Sequence, residues 1–135
     1  MNVDMTIKTP SIKFDEGNGT LEVCGRSLPE NASEFYSKLF KEIEVFQNKP
    51  TPVTKVNLSL EYFNTSTSRI LLDIIKSFAK LHRESKTKLE VKWFYEKDDW
   101  DMEDAGNEYK SILADLNFDV VEIERFPHRD LAPEI

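Results

Sequence analysis

Cysteines and basic clusters are both scarce in this chain. Its 135 residues include one cysteine, Cys24, so an internal disulfide is impossible and a reducing compartment is expected. The formal net charge is −7 and basic residues are scattered, which argues against nucleic acid and anionic lipid as partners. No apolar run approaches the roughly 18 residues of a membrane span, and the N-terminus lacks the apolar core of a signal peptide. We therefore expect a cytoplasmic protein with no membrane partner.

Motifs for catalysis and metal binding are also missing. None of the four glycines precedes a Lys-Ser/Thr pair as in a phosphate-binding loop, and there is no nucleophile elbow. His82 and His128 have no cysteine or carboxylate partner at metal-ligand spacing. The acidic residues between 96 and 104 lack the glycine and glutamate that an EF-hand loop requires. The sequence thus predicts no catalytic residue, no metal and no cofactor, which favours a protein that is not an enzyme.

What is present is the composition of a globular domain. Hydrophobic residues make up 39% of the chain and charged residues 32%, and the length fits one domain. We expect a single domain over residues 1–135, with an ordered core at 11–126. The tail, 127–135, is expected to be exposed or frayed.

Hydrophobic periodicity predicts alternating strands and helices. The predicted strands are 11–14, 21–24, 53–63, 88–95 and 118–126, the first two forming a hairpin. The first helix is expected to be capped by Ser27, with Glu30 completing a capping box, and to end at residues 48–52. Two further helices are predicted, one at 66–83 and one from 97–99 to 116. The second is expected to point its apolar side chains inward, namely Ala105, Tyr109, Ile112, Leu113 and Leu116. The order β-β-α-β-α-β-α-β indicates an α/β fold with a mixed, mostly parallel sheet and flanking helices.

Four consecutive hydroxyl residues, Thr65 to Ser68, separate the strand at 53–63 from the helix that follows. A hydroxyl at a helix start can act as an N-cap, and the same position favours the negative charge of a phosphate. One helix needs one cap, and the carboxyl end of a central parallel strand is where binding sites collect. The sequence therefore leaves two interpretations open, a cap alone or a phosphorylation switch.

Three segments closely resemble the SiaC family of regulatory phosphoproteins. They are GRSLPENASEFY (25–36), LSLEYFNTSTSRILLDII (58–75) and VKWFYEKDDWDMEDAG (91–106), and with the opening hairpin the resemblance covers nearly the whole chain. The family is similar in fold to the STAS domain of anti-sigma factor antagonists. The resemblance implies a partner-switching regulator that a histidine-kinase-like ATPase phosphorylates and a PPM-type phosphatase dephosphorylates. It also implies that the unphosphorylated form binds and activates a diguanylate cyclase, which links the protein to cyclic-di-GMP and biofilm control.

The resemblance also implies site residues. The threonine after Asn64 is the phosphorylated one, Thr65, with Ser66, Thr67 and Ser68 as alternative acceptors. The residues that match the family around the predicted docking face are Glu30, Asn31, Glu61, Tyr62, Asn64 and Arg69.

Three other functions remain open at this stage. A STAS-like anti-sigma factor antagonist would also be switched by phosphorylation, but its partner would be a regulator of a sigma factor. A small enzyme using the acidic residues 96–104 with the hydroxyl turn predicts that carboxylate substitutions abolish an activity. A constitutive adaptor predicts that no hydroxyl is ever phosphorylated.

Overall fold

Six strands form one sheet, and three helices connect the parallel ones. The computed structural model describes residues 1–131. In chain order the elements are β1 (Asn2–Val3), β2 (Ser11–Asp15), β3 (Thr20–Ser27), α1 (Ala32–Asn48), β4 (Val53–Phe63), α2 (Thr65–Arg83), β5 (Lys88–Glu96), α3 (Trp100–Ile112) and β6 (Asn117–Ile123), followed by a 3-10 turn (Pro127–Leu131). The predicted α/β class and the order of the elements from the hairpin to β6 are confirmed, and β1 is an addition at one sheet edge.

The strands lie side by side in sequence order. β1, β2 and β3 pair antiparallel, whereas β3 to β6 pair parallel. Right-handed crossovers between successive neighbours place α1, α2 and α3 on the same face of the sheet. Strand residues pointing toward that face are buried, among them Leu21, Val23, Val56, Leu58, Leu60, Val91 and Trp93. The apolar period of two in β4 therefore marks the face that the helices cover.

The first helix begins later than its capping-box pattern predicts. Its N-cap is Asn31, whose side chain accepts a hydrogen bond from the backbone N–H of Glu34 at 3.1 Å. The expectation that Ser27 is the cap is wrong, because β3 extends through Ser27 in parallel register with β4. Ser27 is fully buried and shares a 2.7 Å hydrogen bond with the Tyr36 hydroxyl. The Ser27 hydroxyl is thus engaged by side chains, and four more residues follow before α1 begins at Ala32.

The third helix is shorter than predicted. It starts after the N-cap Asp99 and ends at Ile112 rather than near residue 116. Leu113 and Leu116 are buried as expected, but they lie in the turn that leads into β6. Ile112, which was expected to point inward, is 53% exposed. The apolar period continued past the helix because the turn also packs against the core.

The segment after β6 folds back over the sheet. β6 ends at residue 123 instead of 126, and the 3-10 turn begins at Pro127. Phe126 is 1% exposed and stacks on the His128 ring. We call residues 124–131 the C-terminal strap. It differs from the exposed tail predicted from residue 127, and residues 132–135 of that tail lie outside the described residues.

Candidate functional site

The hydroxyl turn lies where β4 passes directly into α2. Asn64 is the single residue between them, and its backbone N–H donates to the carbonyl oxygen of Ser27 at 3.0 Å. The Asn64 side chain accepts from the backbone N–H of Thr67 at 3.0 Å and so caps the helix. The N-cap is thus an asparagine, and the idea that one of the four hydroxyls serves as the cap is wrong. Thr65 is the first residue of α2, at the end where the helix dipole favours negative charge.

The four hydroxyls have different surroundings. Thr67 is fully buried and its hydroxyl contacts the Ser27 hydroxyl at 2.9 Å. Ser66 donates to the Asn64 side-chain oxygen at 3.0 Å, and Ser68 donates to the Thr65 carbonyl oxygen at 2.7 Å. Thr65 is exposed, and its hydroxyl makes no hydrogen bond within residues 1–131. Thr65 therefore has the one hydroxyl of the four that is both accessible and without a hydrogen-bond partner in the described residues.

Replacing the cap tests this assignment. We expect Asn64→Ala to lower the free energy of unfolding by about 1 kcal/mol, because a helix-end N–H loses its acceptor. Thr65→Ala is the matched control and is expected to change stability by less than about 0.5 kcal/mol, since its hydroxyl bonds nothing. Urea unfolding of both variants measures the difference. Equal losses in the two variants would contradict the assignment of Asn64 as the cap.

The loop before α1 contacts the hydroxyl turn. The Asn64 side-chain amide donates to the Pro29 carbonyl oxygen at 3.4 Å, which ties residues 29–31 to the start of α2. Glu30 and Asn31 are exposed beside this contact, and Asn31 caps α1. The structure thus brings residues 29–31 (Pro-Glu-Asn) and 64–66 (Asn-Thr-Ser) together at the carboxyl ends of β3 and β4. Tyr62 and Arg69 flank the turn, and both side chains are exposed.

Glu61, the remaining predicted partner residue, lies elsewhere. The register between β3 and β4 shifts after Gly25, so that Arg26 pairs with Tyr62 and Glu61 is the extra residue. The Glu61 side chain is 7% exposed, and Nη1 of Arg129 lies 2.5 Å from its Oε1. The C-terminal strap covers it. Glu61 is therefore engaged by this chain's own Arg129 rather than presented beside Thr65.

Arg129 joins two strand ends across the face of the sheet that carries no helix. It binds Glu96 at the end of β5 as well as Glu61 in β4, and the Phe126 N–H donates to Glu96 at 2.7 Å. These hydrogen bonds, led by those of Arg129, hold the pKa of Glu96 below its ordinary value. Sequence patterns missed this cluster, because nothing in residues 124–131 has a periodicity that predicts contact with β4 and β5.

The strap is expected to loosen in acid. Burial lowers the pKa of His128 below its ordinary 6.5, which outweighs the opposing effect of Glu61; Arg129, Glu96 and Arg26 also face the ring. The unfolded chain then binds the proton more readily than the folded one, so stability falls as the pH drops below about 6.5. Glu96 adds a second loss as the pH falls from its ordinary 4.5 through its lowered folded value.

Urea unfolding at a series of pH values measures this loss. In His128→Phe the decline near pH 6.5 is expected to disappear, while the decline caused by Glu96 at lower pH remains. An unchanged profile in His128→Phe would contradict the assignment of the first decline to His128.

Three of the six acidic residues between 96 and 104 have structural partners. Besides Glu96, Asp99 caps α3 by accepting from the Met102 N–H at 3.1 Å. Glu103 accepts from the Tyr95 hydroxyl at 2.8 Å, and this hydrogen bond is the main reason why the pKa of Tyr95 is raised to about 12. Among residues 1–131 no group of three or more His, Cys, Asp or Glu side chains is placed to hold a metal ion. These carboxylates shape the turn from β5 into α3.

No helix in the described part of the chain is long and apolar enough to cross a membrane.

The fold and the turn together define a class, a mixed α/β protein that presents an accessible hydroxyl at the start of a helix. The chain belongs to the SiaC family of regulatory phosphoproteins, whose family model matches residues 3–123. The strap from residue 124 onward lies beyond the matched part.

Relatives of known sequence or structure agree with this membership. An uncharacterized protein of Pseudomonas aeruginosa strain UCBPP-PA14 is 24% identical over 110 residues, which are 82% of this chain and 86% of that protein. A chain in the crystal structure of the P. aeruginosa diguanylate cyclase SiaD with its activator SiaC is 23% identical, with a TM-score of 0.80 over 93% of this chain and 99% of that one. Apo-SiaC of P. aeruginosa is 24% identical, with a TM-score of 0.76 over 90% of this chain and 96% of that one. At these identities the structural likeness shows a common fold.

Proposed function

We propose that this protein is a non-enzymatic switch whose state is set by phosphorylation of Thr65. A histidine-kinase-like ATPase adds the phosphate, and a PPM-type phosphatase removes it. The unphosphorylated form binds and activates a diguanylate cyclase in the cytoplasm, which raises cyclic-di-GMP and promotes biofilm formation. The observation that carries the proposal is the exposed, unbonded hydroxyl of Thr65 at the first residue of α2, in a member of a regulatory phosphoprotein family.

The proposed chemistry of the switch follows from this position. A phosphate on Thr65 adds about −1.5 to −2 charges and three acceptor oxygens. The start of α2 tolerates that charge because its dipole is positive there, so α2 does not need to unfold. The change is confined to the surface that a partner meets. This supports a switch that alters docking and leaves the fold of the protein unchanged.

Exposed aromatic side chains near the same sheet edge support a docking role. Tyr62 is 56% exposed at the end of β4, and Trp100 is 72% exposed at the start of α3. Large aromatic residues are enriched among the side chains that dominate protein–protein binding. SiaC of P. aeruginosa is the activator of the cyclase SiaD, and this relative is our reason for proposing a diguanylate cyclase as the partner.

The non-enzymatic part of the proposal rests on how the polar residues are used. Of the six acidic residues that an enzymatic interpretation requires, Asp99 serves as a helix cap, Glu103 as the hydrogen-bond acceptor of Tyr95 and Glu96 as the anchor of Arg129. Thr67 is buried against Ser27 and cannot approach a substrate. These contacts give Thr67 and three of the carboxylates a structural role.

Peptide mapping of the protein purified from its native cells tests the phosphorylation. We expect an added mass of about 80 Da on the peptide that contains Thr65, removed by a PPM-type phosphatase. Thr65→Ala expressed in the same cells is the control and is expected to lack the adduct. A phosphate on Ser66 or Ser68 instead would contradict the choice of Thr65. No phosphate under several growth conditions would favour a constitutive adaptor.

Affinity capture tests the partner. Thr65→Ala protein is expected to retain a protein fraction that converts GTP into cyclic-di-GMP, and the chain itself is expected to convert nothing. Ser66→Ala serves as the matched bait, because it leaves Thr65 available to the kinase. Capture of a sigma-factor regulator in place of a cyclase would overturn the proposed output.

A further inference from the structure

A groove lies between α2 and α3, on the helix-covered side of the sheet. Its volume is about 310 Å³. It is lined by Phe63, Ser68, Arg69, Leu72, Ala105, Glu108, Tyr109 and Ile112. The Tyr109 hydroxyl donates to the Ser68 carbonyl oxygen at 2.6 Å, which links the two helices at the end of the groove nearest the hydroxyl turn. The groove therefore begins one helical turn from Thr65.

The apolar lining of this groove is incompletely covered. Phe63, Leu72 and Ala105 are half-buried although they pack against the core, and Ile112 is 53% exposed. The sequence pattern of α2 predicts burial on two sides, since Leu71 and Leu72 widen its apolar face. Leu71 is fully buried under the helix, whereas Leu72 faces the groove. Apolar surface collected in one groove is typical of a site for another protein segment.

The charges on the two walls indicate what kind of segment fits. Arg69 lies on the α2 wall and Glu108 on the α3 wall. Neither side chain has an ion-pair partner within the described residues. A segment seated between them therefore meets a cation on one side and a carboxylate on the other. A complementary segment has an apolar stripe with an acidic residue toward Arg69 and a basic residue toward Glu108.

We propose that this groove binds an amphipathic helix of the output partner, and that Arg69 transmits the phosphorylation state of Thr65 to it. The groove runs between two helices, so a bound helix extends the helical layer over Leu72 and Ile112. In the unphosphorylated protein Arg69 pairs with a carboxylate of the partner helix. Thr65 and Arg69 are four residues apart in α2 and are neighbours on its surface. A phosphate on Thr65 takes Arg69 as its own partner and withdraws the cation from the groove.

This inference rests on the proposed function, because it assigns the surface and the route of the same switch. Its apolar part is tested with Ile112→Ser, which removes exposed apolar surface from the groove without adding charge. Val45→Ser is the matched control, because Val45 is 59% exposed on α1, outside the groove lining. Binding of the captured, purified diguanylate cyclase to each variant is measured by calorimetry, and thermal unfolding confirms that both variants are folded.

Ile112→Ser is expected to weaken binding of the cyclase by roughly tenfold or more, and Val45→Ser by no more than about twofold. Equal affinities for the wild type and Ile112→Ser would overturn the groove while leaving the proposed function intact. Failure of the unphosphorylated wild type to bind any cyclase would overturn both. The two failures are therefore distinguishable in one experiment.

The role of Arg69 is tested by comparing the affinities of the unphosphorylated and the phosphorylated protein for the cyclase. Arg69→Gln is expected to weaken binding by the unphosphorylated protein and to reduce the ratio of the two affinities, unphosphorylated to phosphorylated, by roughly tenfold. Arg69→Lys keeps the charge and is expected to restore much of that ratio. An unchanged ratio in Arg69→Gln would show that the phosphate acts without Arg69 and would overturn this route.

Discussion

Phosphorylation of Thr65 is expected to lower the affinity for the diguanylate cyclase by about 100-fold or more. The phosphate places up to two negative charges on a surface that meets the partner, and like-charge or desolvated contacts at an interface cost several kcal/mol. It also removes Arg69 from the groove between α2 and α3. Protein phosphorylated to completion on Thr65 and unphosphorylated protein are titrated against the same cyclase, and the rate of cyclic-di-GMP synthesis is followed in parallel.

Three variants test whether the loss of affinity comes from the phosphate on Thr65. Thr65→Ala is expected to bind with the affinity of the unphosphorylated wild type and to stay bound in the presence of the kinase and ATP. Ser66→Ala retains Thr65 and is expected to release the cyclase on phosphorylation as the wild type does. Thr65→Asp carries one charge where phosphate carries about two, so an intermediate affinity is expected. If fully phosphorylated protein activated the cyclase as well as the unphosphorylated form, exclusion of the partner by phosphate would be untenable.

The parts of the fold that sequence predicted were those governed by local periodicity. β4 and α2 have strong apolar patterns with periods of two and of a helical turn, and the structure places them almost where these patterns do. Ser27 shows where a local pattern fails. It has glutamate three residues on, as a capping box requires, but the parallel ladder with β4 and the hydrogen bond to Tyr36 keep it in β3. These contacts join residues distant in sequence, which no window around Ser27 reveals.

The sequence predicted the position of the hydroxyl turn, but it did not predict which side chain caps α2 or which hydroxyl is accessible. The run of hydroxyls located the start of α2 within one residue, because such residues favour helix termini. Sequence could not tell the four hydroxyls apart, since their difference comes from Ser27 on β3 burying Thr67. It also could not separate Asn64 from the threonines as the cap. The structure resolves both points through backbone geometry and one tertiary contact.

The C-terminal strap provides the second large expected effect. Arg129→Ala is expected to lower the free energy of unfolding by about 2–3 kcal/mol, because it leaves the buried carboxylate of Glu96 without an ion-pair partner and leaves Glu61 only its 3.5 Å contact with Arg26. This is below the cost of breaking a fully buried pair, since the Arg129 side chain is 38% exposed and partly screened by solvent. Urea unfolding measures the loss, and amide hydrogen exchange at Phe126 reports whether the strap detaches.

Arg83→Ala is the matched control for the removal of an arginine. Arg83 makes a 2.7 Å ion pair with Asp115, but both side chains are about half exposed and screened by solvent, so a much smaller loss than in Arg129→Ala is expected. A loss in Arg129→Ala no larger than that in Arg83→Ala would contradict the structural importance of the strap contact.

A second set of variants separates lost charge from lost packing. When Arg129→Ala is combined with Glu61→Gln and Glu96→Gln, no unpaired carboxylate is left under the strap, and Arg26, which loses its contact with Glu61, is partly exposed to solvent. If buried charge is the main cost, the triple variant regains much of the stability lost in Arg129→Ala, because a neutral amide is cheaper to bury than a carboxylate. If the arginine stem contributes mainly by covering apolar surface, the triple variant stays as unstable as the single one. The first outcome would show that Arg129 stabilises the fold mainly by neutralising the carboxylates of Glu61 in β4 and Glu96 in β5. Of these two strands, β4 leads directly into the hydroxyl turn.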